Sequence, residues 1–166
     1  MNVNIALLTV TDTRTFDNDK SGAILVEKIK EANHNLIDRK ICKDNKKDIV
    51  LILKEWINKD DIDVVITTGG TGLTGRDITP EAVSEIAEKQ IPGFGEIFRN
   101  ISLKTVGTSA IQSRACAVLA KGKYIFALPG SSGGVTDAWE GILKYQLDIN
   151  HKPCNFVELF PRLKEK

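Results

Sequence analysis

The chain is 166 residues long, 42% apolar and 27% charged, with a net charge of +1, as in water-soluble globular domains whose cores bury roughly 70% of the surface. So small a charge, with no basic stripe interleaved with aromatics, argues against nucleic acid or an acidic membrane as partner. No apolar run approaches the ~20 residues of a membrane span, Met1-Asn2-Val3-Asn4 has no basic leader character, and Cys42, Cys116 and Cys154 form no Cys-x-x-Cys pair, so a cytoplasmic protein with reduced core thiols is expected.

Residues 5–11 read as a first strand. A helix follows over 21–32, with Leu25, Ile29 and Ala32 on one face, and then a weaker strand over 36–42. The spacing of Ile49, Ile52, Leu53, Trp56 and Ile57 predicts an amphipathic helix over 48–58. The β-branched run 64–68 is a strand covered on both faces. Thr79 is expected as the N-cap of a helix with Pro80 at its first position, ended by Pro92-Gly93. Short helices are predicted over 96–101 and 112–119, a buried strand over 124–128 and a last helix over 136–147. Phe156, Leu159 and Phe160 are candidate anchors in the mixed tail.

Strands alternating with helices in this way imply one α/β domain over 1–166, a three-layer α/β/α arrangement around a mostly parallel sheet. Ligands of such sheets sit outside the carboxyl ends of the strands. Three of those exits carry polar or glycine-rich sequence: Thr11-Asp12-Thr13-Arg14, the loop from Gly69, and Pro129-Gly130-Ser131-Ser132-Gly133-Gly134. In a parallel sheet all three open on one edge, so a single compound site is expected.

The loop Gly69-Gly70-Thr71-Gly72 is the most informative stretch. Residues without a Cβ allow positive φ and let backbone N–H groups approach a ligand closely. With the helix start at Thr79-Pro80, this layout offers amide donors and a positive helix end to phosphate oxygens. Asp77 stands between loop and helix, where a carboxylate could hold the magnesium ion that accompanies phosphates. The loop is neither a Walker A motif nor a Gly-x-Gly-x-x-Gly dinucleotide loop. Alone it could be a tight turn, but a second glycine-rich strand exit weighs against that reading. Asp44 reads locally as a helix cap, Asp12 and Arg14 as turn residues, and Arg76-Asp77 as an exposed ion pair. Arg14 could instead clamp a phosphate, and Ser113 could cap a helix or donate to a ligand oxygen. His34 and His151 are isolated, and no histidine–cysteine cluster suggests a metal centre.

The ordered set Val10 to Arg14, Thr67 to Gly72, Arg76 to Ala82, Pro92 to Glu96, Ser113-Arg114 and Leu128 to Ser131 resembles the MoaB/MogA family of molybdenum-cofactor biosynthesis proteins. These are related to the G domain of gephyrin and of plant Cnx proteins. Lys152-Pro153-Cys154-Asn155-Phe156 is similar to the MoaB branch in particular. The resemblance implies a molybdopterin-binding fold and an adenylyltransferase that moves AMP from Mg-ATP to the molybdopterin phosphate, releasing pyrophosphate. It places Asp44 and Asp77 as catalytic residues and magnesium ligands. It assigns nucleotide or pterin binding to Asp12, Arg14, Gly69, Gly70, Thr71, Gly72, Thr79, Ser113, Pro129, Gly130, Ser131 and Ser132. It also implies a homotrimer or homohexamer, with Phe94, Ile97 and Phe98 as soft support for an apolar surface, and transient contact with other cofactor-biosynthesis enzymes. Thr11 stands where the family usually has serine, and Gly133-Gly134 where it usually carries an alanine. Arg76-Asp77-Ile78-Thr79-Pro80 keeps the pattern of the active branch. The alternatives are a molybdopterin-binding scaffold without turnover and a nucleotide pyrophosphohydrolase like the related CinA domain. Molybdate insertion, as in MoeA relatives, is disfavoured because those proteins carry further domains.

Overall fold

β-Branched and aromatic residues in short runs favour strands that present successive side chains to opposite layers. The computed structural model, which describes residues 1–165, contains β1 (Asn4–Val10), β2 (Asn35–Cys42), β3 (Val64–Thr68), β4 (Lys89–Gln90), β5 (Cys116–Ala120) and β6 (Lys123–Leu128). They form one sheet of order β2-β1-β3-β6-β5-β4. The first four in that order are parallel; β5 runs antiparallel to β6, and β4 antiparallel to β5.

The helices are α1 (Lys20–Glu31), α2 (Lys46–Ile57), α3 (Thr79–Ile86), α4 (Pro92–Val106) and α5 (Ser132–Ala138), the last continuing through a π-helical turn (Trp139–Leu143) into α6 (Lys144–Gln146). Period-two alternation sorts the strand residues between two cores. Ile5, Leu7, Val64, Ile66 and Phe126 pack with Leu25 and Ile29 of α1, Phe94 and Phe98 of α4 and Val135 of α5. Ala6, Leu8, Val65 and Ile125 pack with Ile49, Leu53 and Trp56 of α2 and with Ala82 and Val83 of α3. Each large side chain so buried contributes about 1.5–3 kcal/mol of transfer free energy, and both layers are therefore held independently of any loop.

Several expectations are corrected. Residues 92–106 form one continuous helix: Pro92 starts it, where a proline's missing N–H costs nothing, and does not terminate α3. Phe94 and Phe98 are consequently core residues, and only Ile97 of that trio is exposed. Residues 112–119 are not a helix. A 3-10 turn covers Gly107–Gln112, and the apolar run after it becomes β5. Lys121 and Gly122, both at positive φ (49° and 73°), join β5 to β6 in the two-residue hairpin such angles favour. The last helix starts earlier than 136, because Ser131 caps it by accepting from Gly134 N–H. The cysteines are free, but Cys154 is exposed and the other two are half-buried. No helix among the described residues is long and apolar enough to cross a membrane.

From β1 the chain proceeds to β2 on one side, while β3 lies on the other. The β1/β3 boundary is therefore a topological switch point, where open α/β sheets leave a crevice beyond their carboxyl ends. Thr9 pairs with Thr68, and Thr68 with Leu128, so the three strands run out at one level.

Candidate functional site

The three exits meet in space. Thr11 Oγ1 accepts the N–H groups of Thr13 (3.2 Å) and Arg14 (3.3 Å), turning the chain back after β1. Arg14 then donates to the carbonyl of Gly130 (3.0 Å) and to Ser21 Oγ (3.3 Å), tying the first exit to the third. After β3, Gly69 (φ +102°) and Gly70 (φ +68°) adopt angles that favour glycine. Gly69 N–H donates to Leu128 O (3.0 Å), and a Cβ on Gly69 would stand 2.2 Å from Val10 O. A Cβ on Gly130 would lie 3.1 Å from Gly69 Cα, so the two glycine loops are in contact. Between them lies a cleft of about 280 Å³ bordered by Thr11, Arg14, Asp44, Gly69, Gly70, Arg76, Asp77 and Gly130.

A buried scaffold stands beneath Arg14. Asp19 accepts the Thr9 hydroxyl (2.6 Å), the Gly22 N–H (3.0 Å) and the Arg39 guanidinium (3.0 Å). Ser21, which receives Arg14, also lies 3.2 Å from Thr68 Oγ1, to which its hydroxyl can donate while Thr68 donates to Pro129 O. Neutral and charged donors thus fix the floor of the cleft from both β1 and β3.

The glycine loop is bolted on its other side. Thr79 is the first residue of α3 and its cap is Ile78, so the expected N-cap role is corrected. Its hydroxyl donates to Gly69 O (2.9 Å) and its N–H to Gly70 O (3.0 Å). Thr71 is buried, and its carbonyl accepts Arg114 N–H at 2.9 Å. The Arg114 side chain donates to Gly72 O (2.7 Å), Asp77 O (2.8 Å) and the Glu81 carboxylate. The N–H groups of Gly70, Thr71, Gly130 and Ser131 donate to no acceptor among the described residues; of these four residues Gly70 and Gly130 border the cleft.

Three carboxylates differ sharply in what they do. Asp44 is not the cap of α2, because Asn45 takes that role, accepting Lys47 and Asp48 N–H. No side chain of the described residues donates to the Asp44 carboxylate, whose Oδ1 lies 3.1 Å from where a Cβ on Gly70 would stand. Burial, then the charge of Asp12, pushes its pKa up; Arg76 partly opposes this and Asp77 adds to it. Asp77 is engaged: its Oδ2 accepts Thr74 N–H (2.8 Å) and Thr74 Oγ1 (2.7 Å). Burial works against ionisation, yet the Thr74 and Gly72 donors hold its carboxyl below the usual range. Asp12 is gripped by Arg76, whose hydrogen bonds lower its pKa, and accepts Asp44 N–H at 3.2 Å. The expected Arg76–Asp77 ion pair is thus an Arg76–Asp12 pair between two loops.

Ser113 does not border the cleft. Its hydroxyl accepts Ala115 N–H at 3.3 Å and its N–H closes the 3-10 turn on Ala110 O. Ser131 is committed as a helix cap, Ser132 O accepts Thr136 Oγ1 at 2.8 Å, and Pro129 O accepts Thr68 Oγ1 at 2.8 Å. The residues absent from the predicted site are Arg76 and Arg114. Both lie in motifs readable in the sequence, but their partners are remote in the chain.

Residues 6–148 match the family described as "Probable molybdopterin binding domain". Molybdenum cofactor biosynthesis protein B of Escherichia coli (strain K12) is 44% identical over 161 residues, covering 97% of this chain and 93% of the relative. A crystal structure of molybdenum cofactor biosynthesis protein B superposes with a TM-score of 0.90 at 40% identity, over 100% of this chain and 98% of that one. The crystal structure of MoaB from Pyrococcus furiosus, a tungsten cofactor synthesizing protein, gives 0.77 at 35% identity over 86% and 91%. Sequence motifs, sheet order and these likenesses agree, and the chain belongs to the MoaB/MogA family of molybdopterin-binding, molybdenum-cofactor biosynthesis proteins.

Proposed function

We propose that this protein is a molybdopterin adenylyltransferase. The observation that carries the reading is Asp44, a half-buried carboxylate without a side-chain donor, set between Asp12 and Asp77 against a loop whose open groups are amides. Such a group is destabilised until a cation arrives, while the amides suit phosphate oxygens. Magnesium is typically held by one or two carboxylates together with water and substrate phosphates. The donors fit that mode: Asp44 and Asp77 both border the cleft, and these two carboxylates would hold the ion jointly with the phosphates. When bound, magnesium would neutralise phosphate charge and polarise the α-phosphate.

The chain's own residues do the rest by positioning. The amides of Gly70 on one side and of Gly130 on the other, both bordering the cleft, orient the two phosphate groups that must approach each other. Arg14, anchored on Gly130 and Ser21, adds a fixed positive charge. A terminal molybdopterin phosphate oxygen forms the new bond to the α-phosphorus. The α–β bridging P–O bond breaks, and its electrons leave with pyrophosphate. A phosphate monoester has a second pKa of about 6, so it attacks as the dianion and needs no protein base. His34 and His151 lie outside the cleft, in keeping with that.

One observation favours a second reading, pterin binding without turnover: the Asp77 carboxylate is already satisfied by Thr74 and has the signature of a loop-shaping residue. Incubation with molybdopterin, ATP and magnesium, followed by mass spectrometry, separates the two. Adenylyl-molybdopterin lost in Asp44→Asn supports the transferase; tight pterin binding without product supports the binding module. Nucleotide hydrolysis without pterin would instead indicate a pyrophosphohydrolase. A cytoplasmic homotrimer or homohexamer belongs to the same proposal. Ile97, Leu103 and Val106 on the outer side of α4, with Ile111 beyond it, are exposed and suit burial between copies. Elution as a monomer at micromolar concentration would count against it.

A further inference from the structure

Arg76 and Asp12 come from different strand exits, yet they are joined by a fork. Arg76 Nε donates to Asp12 Oδ2 at 2.9 Å, and Nη2 to Oδ1 and Oδ2 at 2.9 and 2.7 Å. Arg76 borders the cleft, and Asp12 sits between its wall residues Thr11 and Thr13 while accepting the Asp44 N–H. The pair therefore ties the β1 loop to the β3 loop at the border of the cleft. The cleft beside the closed pair is about 280 Å³ and open to solvent, with Arg76 as one of its walls.

The pair is also suited to opening. The Arg76 side chain is 66% exposed and that of Asp12 35%, and exposed pairs of this kind are weakly held. A polyphosphate offers guanidinium the same planar, two-oxygen partner as a carboxylate, with more charge. Asp12 is the neighbour whose charge raises the pKa of Asp44, and Arg76 the one that offsets it. Moving Arg76 away from Asp12 leaves Asp12 and Asp44 without the guanidinium that offsets their charge, which strengthens the pull on a divalent metal.

We infer that the Arg76–Asp12 pair is a latch over the cleft, and that a polyphosphate opens it by taking Arg76 from Asp12, which makes Arg76 a phosphate-binding residue and couples anion binding to cation binding. This rests on reading the cleft as a polyphosphate site, but it is independent of whether AMP is transferred.

The test is calorimetric titration with inorganic triphosphate, without and then with magnesium, on wild type, Asp12→Asn, Arg76→Ala and the double variant. Asparagine keeps an oxygen for the Asp44 N–H but lacks the charge that holds Arg76. Asp12→Asn is expected to bind triphosphate about five-fold tighter than wild type, on the scale of one exposed ion pair removed as competitor. Arg76→Ala should bind more weakly, and Asp12→Asn should add no more than a small gain in that background. In wild type, magnesium should bind more tightly once triphosphate is present, and this coupling should shrink in Asp12→Asn. Equal or weaker triphosphate binding by Asp12→Asn overturns the latch. So does a gain of the same size in the Arg76→Ala background, which would mark a general field effect. Adenylyl transfer by wild type combined with either result would remove the latch alone. A gain that depends on Arg76, combined with no transfer, would leave the latch and remove the transferase.

Discussion

Arg114 holds the backbone of Asp77 from behind: its Nη2 donates to the Asp77 carbonyl at 2.8 Å while its Nε donates to Gly72 O at 2.7 Å. The two carbonyls bracket the turn on which the Asp77 carboxylate is presented. A planar fork serves this geometry and a lysine ammonium does not. Arg114 is thus a positioning residue, reaching the cleft only through the loop it grips. Arg114→Lys is expected to lower adenylyl transfer by about ten-fold or more, since small misplacements of oriented groups cost up to ~100-fold. The loss should fall mainly on kcat, with molybdopterin affinity nearly kept. A variant that loses only pterin affinity would contradict this role.

Asp44 and Asp77 should part company when each is changed to asparagine. Asp44 has a pKa raised above 3.8, so the folded state binds its proton more readily than the unfolded state. Its ionised form therefore destabilises the fold at neutral pH, and that penalty fades as pH falls through the raised pKa. Asp77 is lowered below 3.8; it stabilises above that value, and the contribution is lost as pH falls through the folded pKa. Asp44→Asn is expected to keep or raise Tm while adenylyl transfer drops by ~100-fold or more, the scale of losing a transition-state electrostatic contact. Asp77→Asn is expected to lower Tm as well as transfer. Thermal melts of both variants beside the mass-spectrometric assay decide it; a lower Tm in Asp44→Asn would contradict the reading of that carboxylate.

The same contrast explains how far the sequence could be read. Period-two and 3.6-residue patterns were strong at β1, β3, β6 and α2 because both cores are apolar and continuous there. Cys116-Ala117-Val118-Leu119-Ala120 suits a helix or a strand equally by composition. What decides for a strand is the Lys121-Gly122 hairpin and pairing with β6, a non-local fact. In the site, Gly69, Gly70 and Asp77 were legible because glycine and a helix start are local signals. Asp44 was hidden by its neighbour: Asp44-Asn45 offers two cap residues, and only the backbone shows that Asn45 takes the cap. Arg76 and Arg114 were undervalued for a different reason. Their partners are Asp12, 64 positions away, and the Gly72 carbonyl, 42 away, and a sequence carries no sign of which acceptor a guanidinium will find.

His34 gives a pH dependence with a definite sign. Its Nδ1 accepts Val3 N–H at 3.3 Å, and its ring meets Trp139 edge-on with centroids 6.4 Å apart. Burial, then the amino-terminal charge, lowers its pKa below 6.5, with Asp148 partly opposing. The unfolded state thus binds this proton more readily, so the stabilising contribution is complete above 6.5 and is lost as pH falls from there through the folded pKa. Protonation would also turn an acceptor toward a donor. Urea unfolding between about pH 7 and about pH 5.5 should show a falling midpoint, and His34→Gln should flatten that fall. An equal fall in the variant would assign the dependence to other groups.

Gly69 is where the fold and the site are least separable. A Cβ there would lie 2.2 Å from Val10 O at a φ of +102°, so an L side chain is both strained and blocked by backbone. Strain of this kind costs on the order of 1–3 kcal/mol, and relief requires the β3 exit to move away from β1. Because Gly69 O also receives the Thr79 hydroxyl, that movement pulls on the start of α3 and on the loop amides together. Gly69→Ala is therefore expected to lower both stability in urea and adenylyl transfer. Gly133 makes the comparison, since nothing lies within 4 Å of a Cβ there and its φ is not positive. It is the second residue of α5, where an alanine that fits the backbone stabilises by about 0.4–1 kcal/mol through the unfolded chain, so Gly133→Ala should stabilise. If Gly69→Ala were as well tolerated as Gly133→Ala, the contact between the β1 and β3 exits would not be what fixes the loop.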